Sequence, residues 1–160
     1  MDTVTERLVL HPLRIDEAKR MLAGTPSARD RWAPGYPLVD ELDALPGFIA
    51  VFGRDGDPQP FGLYGIRRRA DGLAIGGIGF FGPPVNAVAE LGFGLVENAR
   101  GHGLAAEALI AAIAVARSAG AASVIADTAL SNIASQKTMH AAGMVEVHRD
   151  SRLIHYEIVL

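Results

Sequence analysis

A glycine-rich loop between a predicted strand and a predicted helix constrains the fold of this chain more than any other feature. The apolar run 87–96 is followed by Arg100-Gly-His-Gly103-Leu-Ala105 and by an alanine-rich stretch that reaches residue 119. The first amides of a helix lack partners and carry partial positive charge, so an anion can bind there. Gly101 and Gly103 allow close backbone approach, and the arginine adds a full charge. The order of elements therefore predicts a phosphate-binding site.

Two other interpretations of this loop remain open. The glycines could simply make a tight turn between a strand and a helix, since such turns are common. The segment also fits G-x-G-x-x-A, the dinucleotide-binding pattern, with Asp127 at the end of a later apolar run. A dinucleotide fold places its first glycine almost directly after the strand, whereas residues 97–100 intervene here, and little chain remains after Asp127 to complete a sheet. The spacing therefore disfavours the dinucleotide interpretation.

Length and composition favour one globular domain over residues 1–160, with 49% hydrophobic residues to form a core. The sequence has neither an apolar run long enough to span a bilayer nor an N-terminal signal-peptide pattern, so we expect a cytoplasmic protein without a membrane partner. A net charge of −3 disfavours nucleic-acid binding. The absence of cysteine excludes disulfides and thiolate catalysis, and five scattered histidines predict no metal site.

Hydrophobic periodicity predicts the other elements. A strand is expected at 8–13 and a helix from about Asp16, whereas the Pro-, Gly- and Asp-rich segment 25–46 is predicted to be irregular, with one or two short helical turns. An antiparallel meander of four strands follows, at 48–52, 61–68, 73–81 and 87–96. After the glycine loop come a crossover helix at 103–119, a parallel strand at 123–127, a helix at 132–142 and a hairpin formed by 144–150 and 153–160.

This order of elements resembles the GNAT N-acetyltransferase superfamily over nearly the whole chain. The pyrophosphate signature of that family, Q/R-x-x-G-x-G/A, matches Arg100-Gly-His-Gly103-Leu-Ala105. The segments Thr5–Leu13 and Glu90-Leu-Gly-Phe93 are similar to the branch that contains the ribosomal-protein N-terminal acetyltransferases. The resemblance implies an α/β (α+β) fold with a mixed, mostly antiparallel central sheet, helices on both faces and a splayed parallel strand pair that binds acyl-CoA.

The resemblance also implies acetyl-CoA as co-substrate and assigns residues to it. Backbone amides of the signature would hold the pyrophosphate, namely those of Arg100, Gly101, His102, Gly103, Leu104 and Ala105. Gly94, Leu95 and Val96 match the strand segment that pairs with pantetheine, whose two amides need an open backbone edge. Asn132 and Ser135 match polar positions that face the pantetheine arm and the thioester. An asparagine at that position is equally suited to cap the helix.

The reaction implied by the resemblance is attack of a neutral amine on the thioester carbonyl. Glu90 matches a strand glutamate that some family members use as general base, although a carboxylate there could also only attract the amine. Many members place a tyrosine, which protonates the leaving thiolate, where this chain has Met139. Protonation then falls to Ser135, to water or to no group. An inactive CoA-binding sensor module is therefore the alternative function.

The expected acceptor is an amine-bearing small molecule or a peptide N-terminus. An α-amino group costs about 1 kcal/mol to deprotonate at pH 7, whereas a lysine side chain costs about 4 to 5 kcal/mol. The smaller cost suits a site without the usual tyrosine. A homodimer is left open as the assembly.

Overall fold

A computed structural model describes all residues from 1 to 160 and contains one eight-stranded sheet. The strands are β1 (Thr3–Val4), β2 (Leu8–Pro12), β3 (Leu63–Arg68), β4 (Ala74–Phe80), β5 (Val88–Leu95), β6 (Ser123–Ala129), β7 (Val145–Arg149) and β8 (Leu153–Val159). The helices are α1 (Ile15–Ala23), α2 (Val39–Asp55), α3 (Leu104–Ser118) and α4 (Ile133–Ala141), with a short 3-10 turn at Glu97–Ala99. The spatial order is β1-β2-β3-β4-β5-β6-β8-β7, and only β5 and β6 are parallel. The predicted mixed, mostly antiparallel sheet is confirmed.

The two faces of the sheet are covered by different helices. Alanines make α3 slim, so it lies close against the sheet, and its buried residues join those of the strands in one core of 27 side chains. On the opposite face, α1 and α2 pack on each other through a smaller cluster that includes Met21, Leu45 and Phe48. Helices on both faces, as predicted, leave room between them and the sheet for a cavity.

The sheet is split between its two halves. β5 and β6 pair over only three residues each, ending at Glu90 and Ile125. Beyond that point β5 pairs only with β4, through Leu95, while β6 pairs only with β8, through Ala129. The strands therefore diverge, and the predicted splayed parallel pair is confirmed.

The strand predicted at 48–52 is wrong, and so is the irregular conformation predicted for the end of 25–46, because α2 covers both segments. Pro46 and Gly47 suggested a break, yet both lie inside the helix. Leu45 and Phe48 are buried against α1, so packing of one face stabilises a helix that its sequence disfavours. No helix in the structure has the length and apolar character needed to cross a membrane.

Candidate functional site

Glycines on three adjacent strands form the wall of the principal cavity. Gly65, Gly77 and Gly94 are direct cross-strand partners, and Gly79 pairs with Gly92. These five positions therefore place no side chain on the face opposite α3. The resulting cavity has a volume of about 540 Å³ and is bordered on its other sides by α2, the end of β6 and the start of α4.

The signature loop carries a set of unpaired amides. Gly101 and Gly103 adopt φ angles of +84° and +77°, which glycine tolerates best. None of the backbone N–H groups from Gly101 to Ala105 donates to an acceptor in the protein. The Arg100 amide differs, because it donates to the Glu97 carbonyl at 3.2 Å. Five amides at the start of α3 can therefore bind an anion, as predicted for a phosphate site.

Two arginines lie beside this loop. The Arg100 Nε donates to the Leu95 carbonyl at 3.0 Å, which ties the side chain to the end of β5. Arg7 is a neighbour that the sequence did not reveal. Its Nη1 donates to the His102 carbonyl at 2.8 Å, and its Nε contacts Glu107 at 2.7 Å. Since residues 7 and 102 are distant in the chain, only the paired strands bring this second positive charge to the loop.

The open edge of β5 is formed by alternate residues. The Val96 N–H donates to the Ile75 carbonyl at 2.8 Å, and the Glu90 carbonyl accepts from Phe81. Because backbone groups alternate in direction along an antiparallel strand, those of Phe93 and the N–H of Leu95 face the gap instead, while the Leu95 carbonyl already accepts from Arg100 Nε. The Leu95 N–H is therefore open to a ligand, whereas Val96 must be corrected because its N–H is already bonded. Gly94 also faces β4, and it contributes space to the cavity wall.

The start of α4 closes the far end of the cavity. The Asn132 side-chain oxygen accepts from the Ser135 amide at 3.1 Å, so Asn132 caps the helix, and both residues line the cavity. Met139 follows Ser135 by one turn and also lines the cavity, although it is 2% exposed. The position matched to the usual tyrosine therefore lines the cavity but has no hydroxyl group.

Glu90, the predicted base, lies outside this cavity. It is on the same face of β5 as Gly92 and Gly94 but is exposed, and it does not line the cavity. Its base role therefore stays a prediction that this cavity does not support.

A different carboxylate, that of Glu41 on α2, lies in the cavity. The Glu41 Oε1 is buried without a hydrogen-bond partner. A Cβ on Gly77 would lie 2.6 Å from the Glu41 Cδ, so the absence of a side chain on β4 makes room for this carboxyl. Burial raises the pKa of Glu41 to about 7. Hydrogen bonds from the Tyr36 hydroxyl and the Leu38 amide lower this pKa and offset part of the effect, and the charge of Asp40 raises it. Burial also raises the pKa of Tyr36.

Two features of the sequence bear on this arrangement. Gly76, Gly77 and Gly79 on β4 are consistent with close approach of another group or with loose packing, and Glu41 does approach Gly77. Segment 25–46, predicted to be irregular, contains the start of α2 and with it Glu41. Neither feature identified Glu41, because the contact joins positions that are 36 residues apart.

Three residues on the β7–β8 hairpin also come together, although their spacing did not suggest it. Ligand atoms of His148, Asp150 and His155 lie within 4.8 Å of one another. The two imidazole rings are stacked with centroids 5.4 Å apart. His148 and Asp150 are exposed on this hairpin, and the expectation of no metal site stays a prediction.

A family model and one curated relative match most of the chain. The model described as "Acetyltransferase (GNAT) domain" matches residues 7–145. The Bacillus subtilis (strain 168) protein "Uncharacterized N-acetyltransferase YjdG" is 28% identical over 123 residues, which are 76% of this chain and 73% of that protein.

Solved structures share the fold at lower identity. The ribosomal-protein-S5-alanine acetyltransferase from Vibrio fischeri has a TM-score of 0.70 and 12% identity, covering 99% of this chain and 96% of its own. The microcin C7 self-immunity acetyltransferase MccE, in complex with acetyl-CoA and AMP, has a TM-score of 0.66 and 13% identity, covering 98% and 94%. At these identities the likeness concerns the fold alone.

Proposed function

Because this chain belongs to the GNAT acetyltransferase family, we propose that it transfers an acetyl group from acetyl-CoA to a primary amine by direct attack. One observation carries the proposal: unpaired backbone groups run from the amides of 101–105, past the open edge of β5, to the cavity. A pyrophosphate followed by an amide-bearing arm requires such groups in that order. The acceptor would be a small amine or a peptide N-terminus.

Different residues along this path would bind different parts of acetyl-CoA. Amides of 101–105 would hold the pyrophosphate, with Arg100 and Arg7 supplying positive charge beside them. Phe93 and Leu95 would pair with the pantetheine arm, and Asn132 and Ser135 would face its thioester end. Bound acetyl-CoA supplies the thioester carbonyl that the amine attacks. The MccE structure, which contains acetyl-CoA in a similar fold, supports this donor.

A second candidate function is a CoA-binding module that senses the ligand without catalysis. Met139 is the observation that favours it, since a thioether cannot protonate a thiolate. An assay that detects released free thiol during incubation with acetyl-CoA and a panel of amines distinguishes the two. Thiol release that depends on the amine supports the enzyme, whereas binding without release supports the sensor.

The substitution Gly103→Asp tests the anion site. A carboxylate would enter the loop against the pyrophosphate, so we expect calorimetric titration to show no acetyl-CoA binding. Gly24→Asp is a matched control, because Gly24 has φ +68° at the end of α1 and open space around it. The control reports the backbone strain of an aspartate at positive φ away from the site. Parent-like affinity in Gly103→Asp would contradict the assignment of this loop.

A further inference from the structure

The cavity is acidic and has no positive side chain. Among its 25 lining residues the charged ones are Asp40, Glu41 and Asp127, and none is lysine, arginine or histidine. Apolar residues such as Leu38, Leu45 and Phe81 form much of the remaining wall. A cationic group with an apolar body is therefore favoured in this space, whereas a carboxylate on the ligand finds no counter-charge.

Glu41 differs from the other two acidic residues because it is partly buried. Its Oε1 has no hydrogen-bond partner and its carboxyl group lies against the bare backbone of Gly77. An unpartnered buried oxygen is costly, and such groups are rare unless a ligand or a reaction uses them. Asp40 and Asp127 have no such constraint, since both are exposed.

We propose that Glu41 is the acceptor-binding base of this cavity: its carboxylate receives the ammonium group of the substrate and takes the proton that the nitrogen loses before attack. This inference rests on the proposed function. One proton moves from the ammonium to Glu41, and the freed lone pair forms the C–N bond while the C–S bond breaks. The second proton lost by the nitrogen accounts for the free thiol. The proton on Glu41 returns to solvent when the amide product leaves.

The groups around Glu41 suit this role near neutral pH. Tyr36 and Asp40 are its titratable neighbours, while Glu17 and Arg67 share the smaller pocket behind Tyr36. A pKa of about 7 lets the carboxylate accept a proton and release it again at physiological pH. Ser135 and Phe93 on the open edge of β5 line the same cavity, so the base and the predicted thioester region face one shared space.

The inference also restricts the acceptor. A free amino acid carries its carboxylate next to the amine, and this cavity offers that carboxylate no cation. Phenethylamine and phenylalanine are a matched pair, because they have similar basicity and differ in the carboxylate alone. We expect kcat/KM for phenethylamine to exceed that for phenylalanine by at least about 10-fold.

The decisive experiment compares Glu41→Gln with Asp43→Asn, an exposed carboxyl on the same helix, and with Glu90→Gln, the rival base. With phenethylamine at pH 7, Glu41→Gln should lower kcat/KM by about 100-fold and the deficit should shrink at pH 10, where a much larger fraction of the amine is already neutral. Glu41→Asp should restore part of the rate. Calorimetry without acetyl-CoA should show weaker phenethylamine binding in Glu41→Gln, with acetyl-CoA affinity unchanged. Asp43→Asn should match the parent in every assay.

The outcomes separate this inference from the proposed function. If the parent acetylates amines and Glu41→Gln keeps the parent rate and amine affinity, the assignment of Glu41 is overturned and the function stands. A loss confined to Glu90→Gln also overturns it and returns the base role to the strand glutamate. If the parent binds acetyl-CoA but acetylates no amine in the panel, the proposed function fails and the inference with it.

Discussion

Burial of the Glu41 carboxyl links the stability of the fold to pH. Its pKa in the folded chain is about 7, against 4.5 in the unfolded chain. Below pH 4.5 the group is protonated in both states and its contribution to stability is fully present. Between pH 4.5 and about 7 the Glu41 carboxyl ionises in the unfolded chain but stays protonated in the folded chain. This contribution to stability is therefore lost as the pH rises through 7.

We expect Glu41→Gln to remove this pH dependence. An amide of the same shape cannot ionise, so the variant should be more stable than the parent at pH 8 by about 2 to 3 kcal/mol, and by much less at pH 5. Denaturant unfolding at the two pH values measures the difference. The exposed Asp43→Asn variant should follow the parent at both. An equal effect of Glu41→Gln at pH 5 and pH 8 would argue against a raised pKa.

At the level of elements, α2 shows how packing overrides local sequence. Its eighth residue is Pro46, which lacks an N–H, and glycine follows, so the local signals favour a break. Phe48 nevertheless lies three residues after Leu45 and four residues before Phe52, which is helical spacing. The pattern was recoverable from the sequence, but the five-residue apolar run 48–52 equally resembles a short buried strand.

Phe48→Ala tests the contribution of this helix. Phe48 is 7% exposed and packs in the cluster between α1 and α2, with its ring 5.9 Å from that of Phe52. Its truncation should lower the free energy of unfolding by about 3 to 4 kcal/mol. Val39→Ala, at an exposed position of α2, should cost less than about 0.5 kcal/mol. A small effect at Phe48 would mean that the α1–α2 cluster contributes little to stability.

Phe48→Ala also distinguishes the proposed acceptor side of the site from the proposed donor side. α2 carries Glu41 and one wall of the cavity, whereas the amide loop leads into α3 on the other face of the sheet. Phe48→Ala should therefore affect use of the amine more than acetyl-CoA affinity under conditions where the variant remains folded. Steady-state kinetics and calorimetry at one temperature report both quantities.

For the whole molecule, the meander from β3 to β5, the crossover through α3 and the glycine-rich loop were predicted from the sequence, and the cavity was not. Short turns and the crossover helix at 104–118 determine which consecutive strands are neighbours in the sheet. The start of that helix determines where the unpaired amides lie. The cavity instead depends on cross-strand register, which aligns Gly65, Gly77 and Gly94, and on Glu41 from a distant helix. Register and long-range packing leave no short-range pattern, so the sequence pointed to Glu90 and missed Glu41.

Hydrogen exchange can test the split of the sheet. The amides of Phe93 and Leu95 face the gap between β5 and β6 without a strand partner, so they should exchange quickly in the free protein. Saturating acetyl-CoA should slow both by at least about 10-fold, because the pantetheine arm would pair with them. Amides of the edge strand β7 should not change. Unaltered exchange at Phe93 and Leu95 in the bound protein would show that the arm lies elsewhere.

The gap between β5 and β6 also bears on how long the protein survives in a cell. A ligand that completes the sheet binds only the folded chain, and at 100 times its Kd it adds about 2.7 kcal/mol to stability. Degradation acts on transiently unfolded molecules, so starvation for the acyl donor would shorten the half-life of the chain. Protein abundance would then follow the supply of its own substrate, without a dedicated regulator.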